Sequence, residues 1–330
     1  MMNMELLRAT TADGWRLAVY FHAGSGDRRF PVLMVHGFGS NRFSMDAEKN
    51  YSVARAAAAR GFAVYVLELR GAGKSIAPVP EESLEYNWGF GDYLEQDMPA
   101  AMELVLEHAQ SAHLHGVGHS MGGMLFYALA TRQLPEIKSI ATIGAPLICE
   151  LKLGRAEQRL LKFAKGLAPN NQHWRLPLAG IFGTAGRLGR ISSRLADGIL
   201  MNSDNVEVDL IPFLAKHAMN DVPLKLLLEM TSQMAHQDLY AWPYGFERHL
   251  DKIRTPVLAL AGSRDRVAPP SSVFGALNRM QADILRYREI GCQFGDKADY
   301  GHIDLLVGRH APEEIYPEVL DFLEEMDAGA

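Results

Sequence analysis

The sequence predicts an α/β fold: a mostly parallel central sheet with helices on both faces and a helical segment inserted into it. Three observations carry this. Short apolar runs that stop at glycine alternate with helix-forming stretches over residues 30–146. Such runs suit strands buried on both faces, and strand–helix alternation is the pattern of a parallel sheet. The alternation lapses over residues 147–250 and resumes at Thr255. Finally, the pentapeptide Gly118-His119-Ser120-Met121-Gly122 stands where one apolar run gives way to a helical pattern.

Each element follows in order. Residues 5–22 alternate loosely around Asp13-Gly14 and read as a hairpin. "FPVLMVHG" (30–37) reads as a buried strand, 45–60 as an alanine-rich helix stopped by Gly61, and "FAVYVLEL" (62–69) as a second buried strand. Residues 92–110 read as a helix in which Pro99 is tolerable only near the start or at a kink. A strand at 114–120, a helix at 120–134 and a strand at 137–146 follow. Residues 147–250 are rich in Leu, Met and helix formers, broken by Pro177, Pro212, Pro223 and Pro243. They read as a helical insertion, so residues 1–146 and 251–330 are expected to form one core. A strand at 255–262, a helix at 271–280, a strand at 283–290 and a helix at 312–326 complete it.

Composition bounds the function. At 330 residues and 48% hydrophobic content the chain can bury a sizeable core, as one large domain or one domain with an insertion. A net charge of −6 gives no basic excess to hold nucleic acid or an anionic membrane. No apolar run approaches the roughly 18 residues that span a bilayer, so no stable membrane insertion is expected. Cys149 and Cys292 cannot make a disulfide framework or a thiolate metal site by themselves. Reduced thiols, no metal and no cofactor are expected. The start lacks a basic stretch followed by an apolar one, which favours a cytoplasmic protein.

The stretch "LELRGAGKS" (67–75) ends like a phosphate-binding loop. That loop needs a glycine five residues before the Gly-Lys-Ser, and here the position is Glu68, a carboxylate that repels phosphate. It also needs a helix starting at the lysine, which Pro78 and Pro80 oppose. No nucleotide is expected. Lys74 becomes an exposed lysine, and Arg70 is expected to anchor the loop by pairing with an acidic group such as Asp97.

The pentapeptide carries the chemistry. It fits G-x-S-x-G at a strand-to-helix junction, the nucleophile elbow, whose tight turn needs small residues at Gly118 and Gly122 and exposes Ser120. A serine hydroxyl needs a base, and the base an orienting acid, in the chain order serine, acid, histidine. Asp265 follows the strand at 255–262, and His302 lies behind Gly301 after the last strand. Asp296 and Asp299 are weaker acid candidates in a polar loop, and Asp304 reads as structural. His119 reads as wall packing. Donors for a developing oxyanion are expected from the backbone N–H groups of Met121 and of Phe38, the latter on the turn begun by His36 and Gly37.

The set "HGFGS", "LRGAGKS", "GHSMGG", "AGSRDRVAPP" and "YGHIDLL" resembles the α/β-hydrolase superfamily in motif order over essentially the whole chain. Residues 88–103 and 301–323 are similar to segments of the acid lipases and of polyhydroxyalkanoate synthase and depolymerase relatives. Trp88, Phe90, Asp97, Pro99, His302, Asp304, Gly308 and Pro312 match the acid-lipase pattern. The polymer synthases carry cysteine at the elbow, where this chain has Ser120. The resemblance implies an α/β-hydrolase fold with a cap over the site at 147–250. The cap's apolar stretch at 221–242, with Met219, Met230 and Met234, suits an acyl pocket. The expected function is hydrolysis of small-molecule carboxylic esters with a hydrophobic acyl group. An acyltransferase using the same three residues and a non-catalytic binding protein on the same scaffold are the alternatives. Epoxide and haloalkane chemistry is disfavoured, because it needs a carboxylate at the elbow.

Overall fold

The computed structural model describes residues 4–26, 28–47, 50–146, 174–180, 200–236 and 245–329. Eight strands form one sheet in the order β1-β2-β4-β3-β5-β6-β9-β10. They are β1 (Met4–Thr10), β2 (Arg16–His22), β3 (Val32–Val35), β4 (Val64–Glu68), β5 (Leu114–His119), β6 (Ile137–Ile143), β9 (Val257–Gly262) and β10 (Leu285–Ile290). The hairpin β1–β2 joins antiparallel to β4, and the remaining pairings are parallel.

The apolar runs work as the alternation implied. Every residue of β3, β4, β5 and β9 is buried. Because side chains alternate along a strand, each run feeds two layers. Leu33 and Val35 join Met98, Met102, Leu125 and Leu129 on one face. Val32 and Met34 join Ala54, Ala57, Val319 and Leu323 on the other. Each fully buried leucine or valine contributes about 1.5–3 kcal/mol.

Three helices differ from the sequence reading. The helix expected at 45–60 forms only as α1 (Val53–Ala59). Before it, Asp46 and Ser52 make polar contacts: Ser52 Oγ donates to buried Asp46 (2.8 Å) and caps the helix by accepting from Arg55 N–H (3.0 Å). The helix expected at 92–110 starts at Phe90 and passes through a wide turn, Tyr93–Asp97, before α2 (Met98–His108). Pro99 has no N–H to donate to the preceding turn, and the wide turn just before it accommodates that loss. The last helix is two pieces, Ala311–Glu314 and α7 (Tyr316–Ala328), for the same reason at Pro317. Between lie α3 (Met121–Ala130), α4 (Leu210–His217), α5 (Leu224–His236) and α6 (Pro270–Leu277).

The expected insertion falls partly outside the described residues, at 147–173, 181–199 and 237–244. So does Cys149, whereas Cys292 is exposed. The described parts include a two-stranded ribbon, β7 (Arg175–Leu176) with β8 (Val222–Pro223). A side chain at Gly39 would touch Leu178 and Val222, so this ribbon lies over the loop after β3.

The loop after β4 is anchored by Arg70. Its N–H and Nε donate to the two Asp97 oxygens at 2.8 and 2.7 Å, and its Nη1 and Nη2 reach Asp13 at 2.6 and 3.1 Å. One guanidinium thus ties together the hairpin turn, the loop after β4 and the start of α2. Burial works against the Arg70 charge, but Asp97 and Asp13 outweigh it and hold the group above its ordinary pKa. Lys74 is exposed. Glu68 is buried and turned into its own loop, accepting from Lys74 N–H at 2.6 Å and from Tyr20 Oη at 3.3 Å.

Asp97→Ala takes the acceptor from the Arg70 N–H and Nε and leaves the guanidinium paired with the exposed Asp13 alone. It is expected to lower the unfolding free energy by about 2–3 kcal/mol, the cost of buried donors left without a partner. Urea unfolding followed by circular dichroism checks it.

Candidate active site

The site is built at the carboxyl ends of β3, β5 and β9 and in the loop after β10. Between β5 and α3 the chain reverses within one residue. Ser120 sits at φ 52°, ψ −120°, a conformation sparsely populated by non-glycine residues and costing about 1–3 kcal/mol. The surroundings enforce it. Ser120 N–H donates to Ile143 C=O (3.0 Å), and its own C=O accepts from Gly123 N–H (3.0 Å). A methyl group at Gly118 would stand 2.3 Å from Gly123 N, and one at Gly122 would stand 2.2 Å from Val35 O. Only glycine fits either place. Ser120 itself is 6% exposed.

Asp265 and His302 come together. His302 Nδ1 lies 2.7 Å from Asp265 Oδ2. The other carboxylate oxygen accepts from Val267 N–H (2.8 Å) and Ala268 N–H (2.7 Å), so the acid is fixed by backbone. An aspartate acceptor at Nδ1 puts the ring proton there and leaves Nε2 with its lone pair. The other aspartates are committed elsewhere. Asp296 pairs with Arg288, Asp299 accepts from Ser263 Oγ and Cys292 N–H, and Asp304 accepts from Gly301 N–H. Gly144, at φ +55°, closes the floor: a side chain there would touch both Asp265 and His302.

His119 is more than wall packing. Its Nε2 donates to the His302 carbonyl (3.1 Å), and the two rings stand 4.7 Å apart. Burial first, and His302 second, hold its pKa well below the ordinary value, so it is neutral. The residue next to Ser120 thereby touches the histidine loop. A G-x-S-x-G pattern carries no sign of this, because the partner lies 183 positions away.

The turn after β3 completes the site. Leu69 N–H donates to His36 Nε2 (3.2 Å), so Nδ1 carries the proton and donates to Gly37 C=O (2.8 Å). A methyl group at Gly37 would lie 3.0 Å from Ser120 Cβ. The turn carrying Phe38 therefore stands directly beside Ser120. Phe38 packs against the apolar layer that contains Met121. Met121 N–H opens α3 and is one of the four helix donors without an intrahelical acceptor.

Among the described residues no cluster of three or more His, Cys, Asp or Glu is arranged to hold a metal ion. Nor is any helix there long and apolar enough to cross a membrane.

This fold and this arrangement of loops define an α/β hydrolase. The family model described as alpha/beta hydrolase fold matches residues 31–308, and the chain belongs to that family. It is similar to lipase member K of Homo sapiens, 23% identical over 96% of this chain and 86% of that protein. It is likewise similar to gastric triacylglycerol lipase of Homo sapiens, 22% identical over 97% of this chain and 88% of that one. Among solved structures, a monoacylglycerol lipase of Paleococcus ferrophilus superposes with a TM-score of 0.64 at 17% identity, covering 98% of this chain and 100% of its own. An esterase from Thermogutta terrifontis gives 0.61 at 17% identity, covering 98% and 99%.

His36 makes stability depend on pH. Burial lowers its pKa from 6.5 to about 4, with the bond to Gly37 opposing. Between those values the unfolded chain binds a proton that the folded one does not. The contribution is complete above pH 6.5 and is lost as pH falls toward 4, by about 3 kcal/mol in all. Denaturant unfolding between pH 4.5 and 7 is expected to show a slope shallower by about one proton in His36→Gln than in the wild type.

Proposed function

We propose that the protein is a serine hydrolase of carboxylic esters with a hydrophobic acyl group, acting through an acyl-enzyme. The observation that carries this is the 2.7 Å contact between His302 and a backbone-fixed Asp265, joined through His119, which touches the His302 carbonyl, to a serine held in a strained turn. Ser120 Oγ attacks the ester carbonyl and His302 Nε2 takes its proton. Asp265 keeps the His302 tautomer and stabilises the imidazolium that forms. Negative charge on the carbonyl oxygen is met by the N–H groups of Met121 and Phe38, each donor worth about 3–4 kcal/mol of transition-state stabilisation. His302 returns the proton to the leaving alcohol. Water, deprotonated by the same nitrogen, then attacks the acyl-enzyme and frees the acid.

The substrate class rests on the apolar surroundings. Residues 147–250 act as a cap in this reading. Leu178 and Val222 stand against Gly39 beside the oxyanion turn, and Met230 packs against the layer of Phe90 and Met121. An apolar wall with few polar groups favours a hydrophobic acyl chain over a charged or very small one. The naming of the similar proteins as lipases and esterases supports ester hydrolysis.

A series of p-nitrophenyl esters of increasing acyl length tests the reading. Wild-type protein is expected to turn them over and to be labelled by a fluorophosphonate, and Ser120→Ala to do neither. Asp265→Asn is expected to lower kcat about 10⁴-fold, because the amide favours the wrong histidine tautomer. A folded wild-type protein inactive on every ester, or an Asp265→Asn variant with near-normal turnover, overturns the assignment.

A further inference from the structure

Asp265 fixes the His302 ring, but something else fixes the loop that carries it. Asp304 is fully buried two residues on, and both its oxygens are used. Oδ1 accepts from Asn202 N–H (3.0 Å) and Gly301 N–H (3.0 Å). Oδ2 accepts from Asn205 Nδ2 (3.0 Å) and, at the same distance, from Gly301 N–H. On the other side of His302, Ile303 N–H donates to Leu200 C=O (2.9 Å). Asn202 Nδ2 reaches Asp299 C=O (2.7 Å), and Arg309 N–H reaches Asn205 C=O (2.6 Å). A side chain at Gly301 would stand 2.9 Å from Asn202 N, so the two segments are in direct contact.

The residues gripping this loop, 200–205, lie within the insertion between β6 and β9. The same limb goes on to the other active-site loop. Asn41 Nδ2 donates to His217 C=O (2.8 Å), Asn220 N–H donates to Gly39 C=O (2.8 Å), and Asn220 Oδ1 accepts from Gly73 N–H (2.9 Å). One stretch of the insertion therefore holds the loop of the proposed base and the loop of the proposed oxyanion donor.

We infer that Asp304, gripped by Asn202 and Asn205, is a positioning residue for His302, so that the insertion sets where the base stands as well as covering the site. The inference rests on the proposed role of His302. The chemistry calls for a carboxylate at 304. Three N–H donors, from Gly301, Asn202 and Asn205, converge on it, and its two acceptor oxygens satisfy all three as they stand. An asparagine there turns an N–H₂ toward one of them. A misplacement of about 1 Å in a catalytic group costs on the order of 10²-fold in rate.

Asp304→Asn and Asn205→Ala test this with the ester series, fluorophosphonate labelling and the downfield proton resonance of His302 Nδ1. The expected result is a KM within about twofold of wild type, a kcat lower by roughly 10- to 100-fold and labelling slowed in proportion. The Nδ1 resonance shifts or broadens. Asn205→Asp, isosteric but placing a second carboxylate against Asp304, is expected to lose more than Asn205→Ala. Should Asp304→Asn fail to unfold cooperatively, the two Asn205 variants decide. Wild-type kcat and an unmoved resonance in these variants overturn the inference and leave the hydrolase reading standing. A wild-type protein unlabelled at Ser120 removes the hydrolase reading instead. The resonance still decides whether Asp304 holds the ring, an unmoved signal counting against it.

Discussion

The structure depends on one sharp reversal of the chain at Ser120. A parallel strand must hand over to a helix in a single residue, with the helix packed back on the sheet. That requires Gly122 to lie against the carbonyl of Val35 on the neighbouring strand and Gly118 to lie under Gly123. The turn is stabilised by the sheet that it terminates, since Ser120 N–H continues the ladder to Ile143. Backbone strain at this residue persists because β3, β5 and β6 over-determine it. The loops after β3 and β9 come to the same place because parallel strands end on the same side.

Much of this was legible. β3, β4, β5 and β9 are continuous apolar runs because they are buried on both faces, and that pattern is local. The elbow was legible because its constraint is steric and falls on adjacent residues. The pairing of Arg70 with Asp97 was legible as an anchor for the loop once the loop lost its phosphate. The short α1 was not, and of the wide turn only a break at Pro99 was. In both, polar contacts or a missing donor override an unbroken helical pattern. The grip of Asn202 and Asn205 on Asp304 left no trace either. These are ordinary polar residues in a stretch without rhythm, and their partner lies 102 and 99 positions further on.

Two histidines show how one residue type serves different ends through burial and partners. His36 is kept neutral and donates one ring N–H to its own turn while accepting from the neighbouring strand end. His302 is oriented by a carboxylate, and in the proposed reaction it must become charged. His119 lies against it and stays neutral, so no second positive charge opposes the imidazolium. The uncharged neighbours are as much a part of that proposed chemistry as the acid.

The loop that spells like a phosphate-binding one has a last consequence. Glu68 stands where such a loop keeps a glycine, and its carboxylate takes the N–H of Lys74. The loop has in effect bound its own anion. A carboxylate tethered six residues away makes this contact without having to be recruited from solution. The N–H of Lys74 is satisfied from within, by the chain itself.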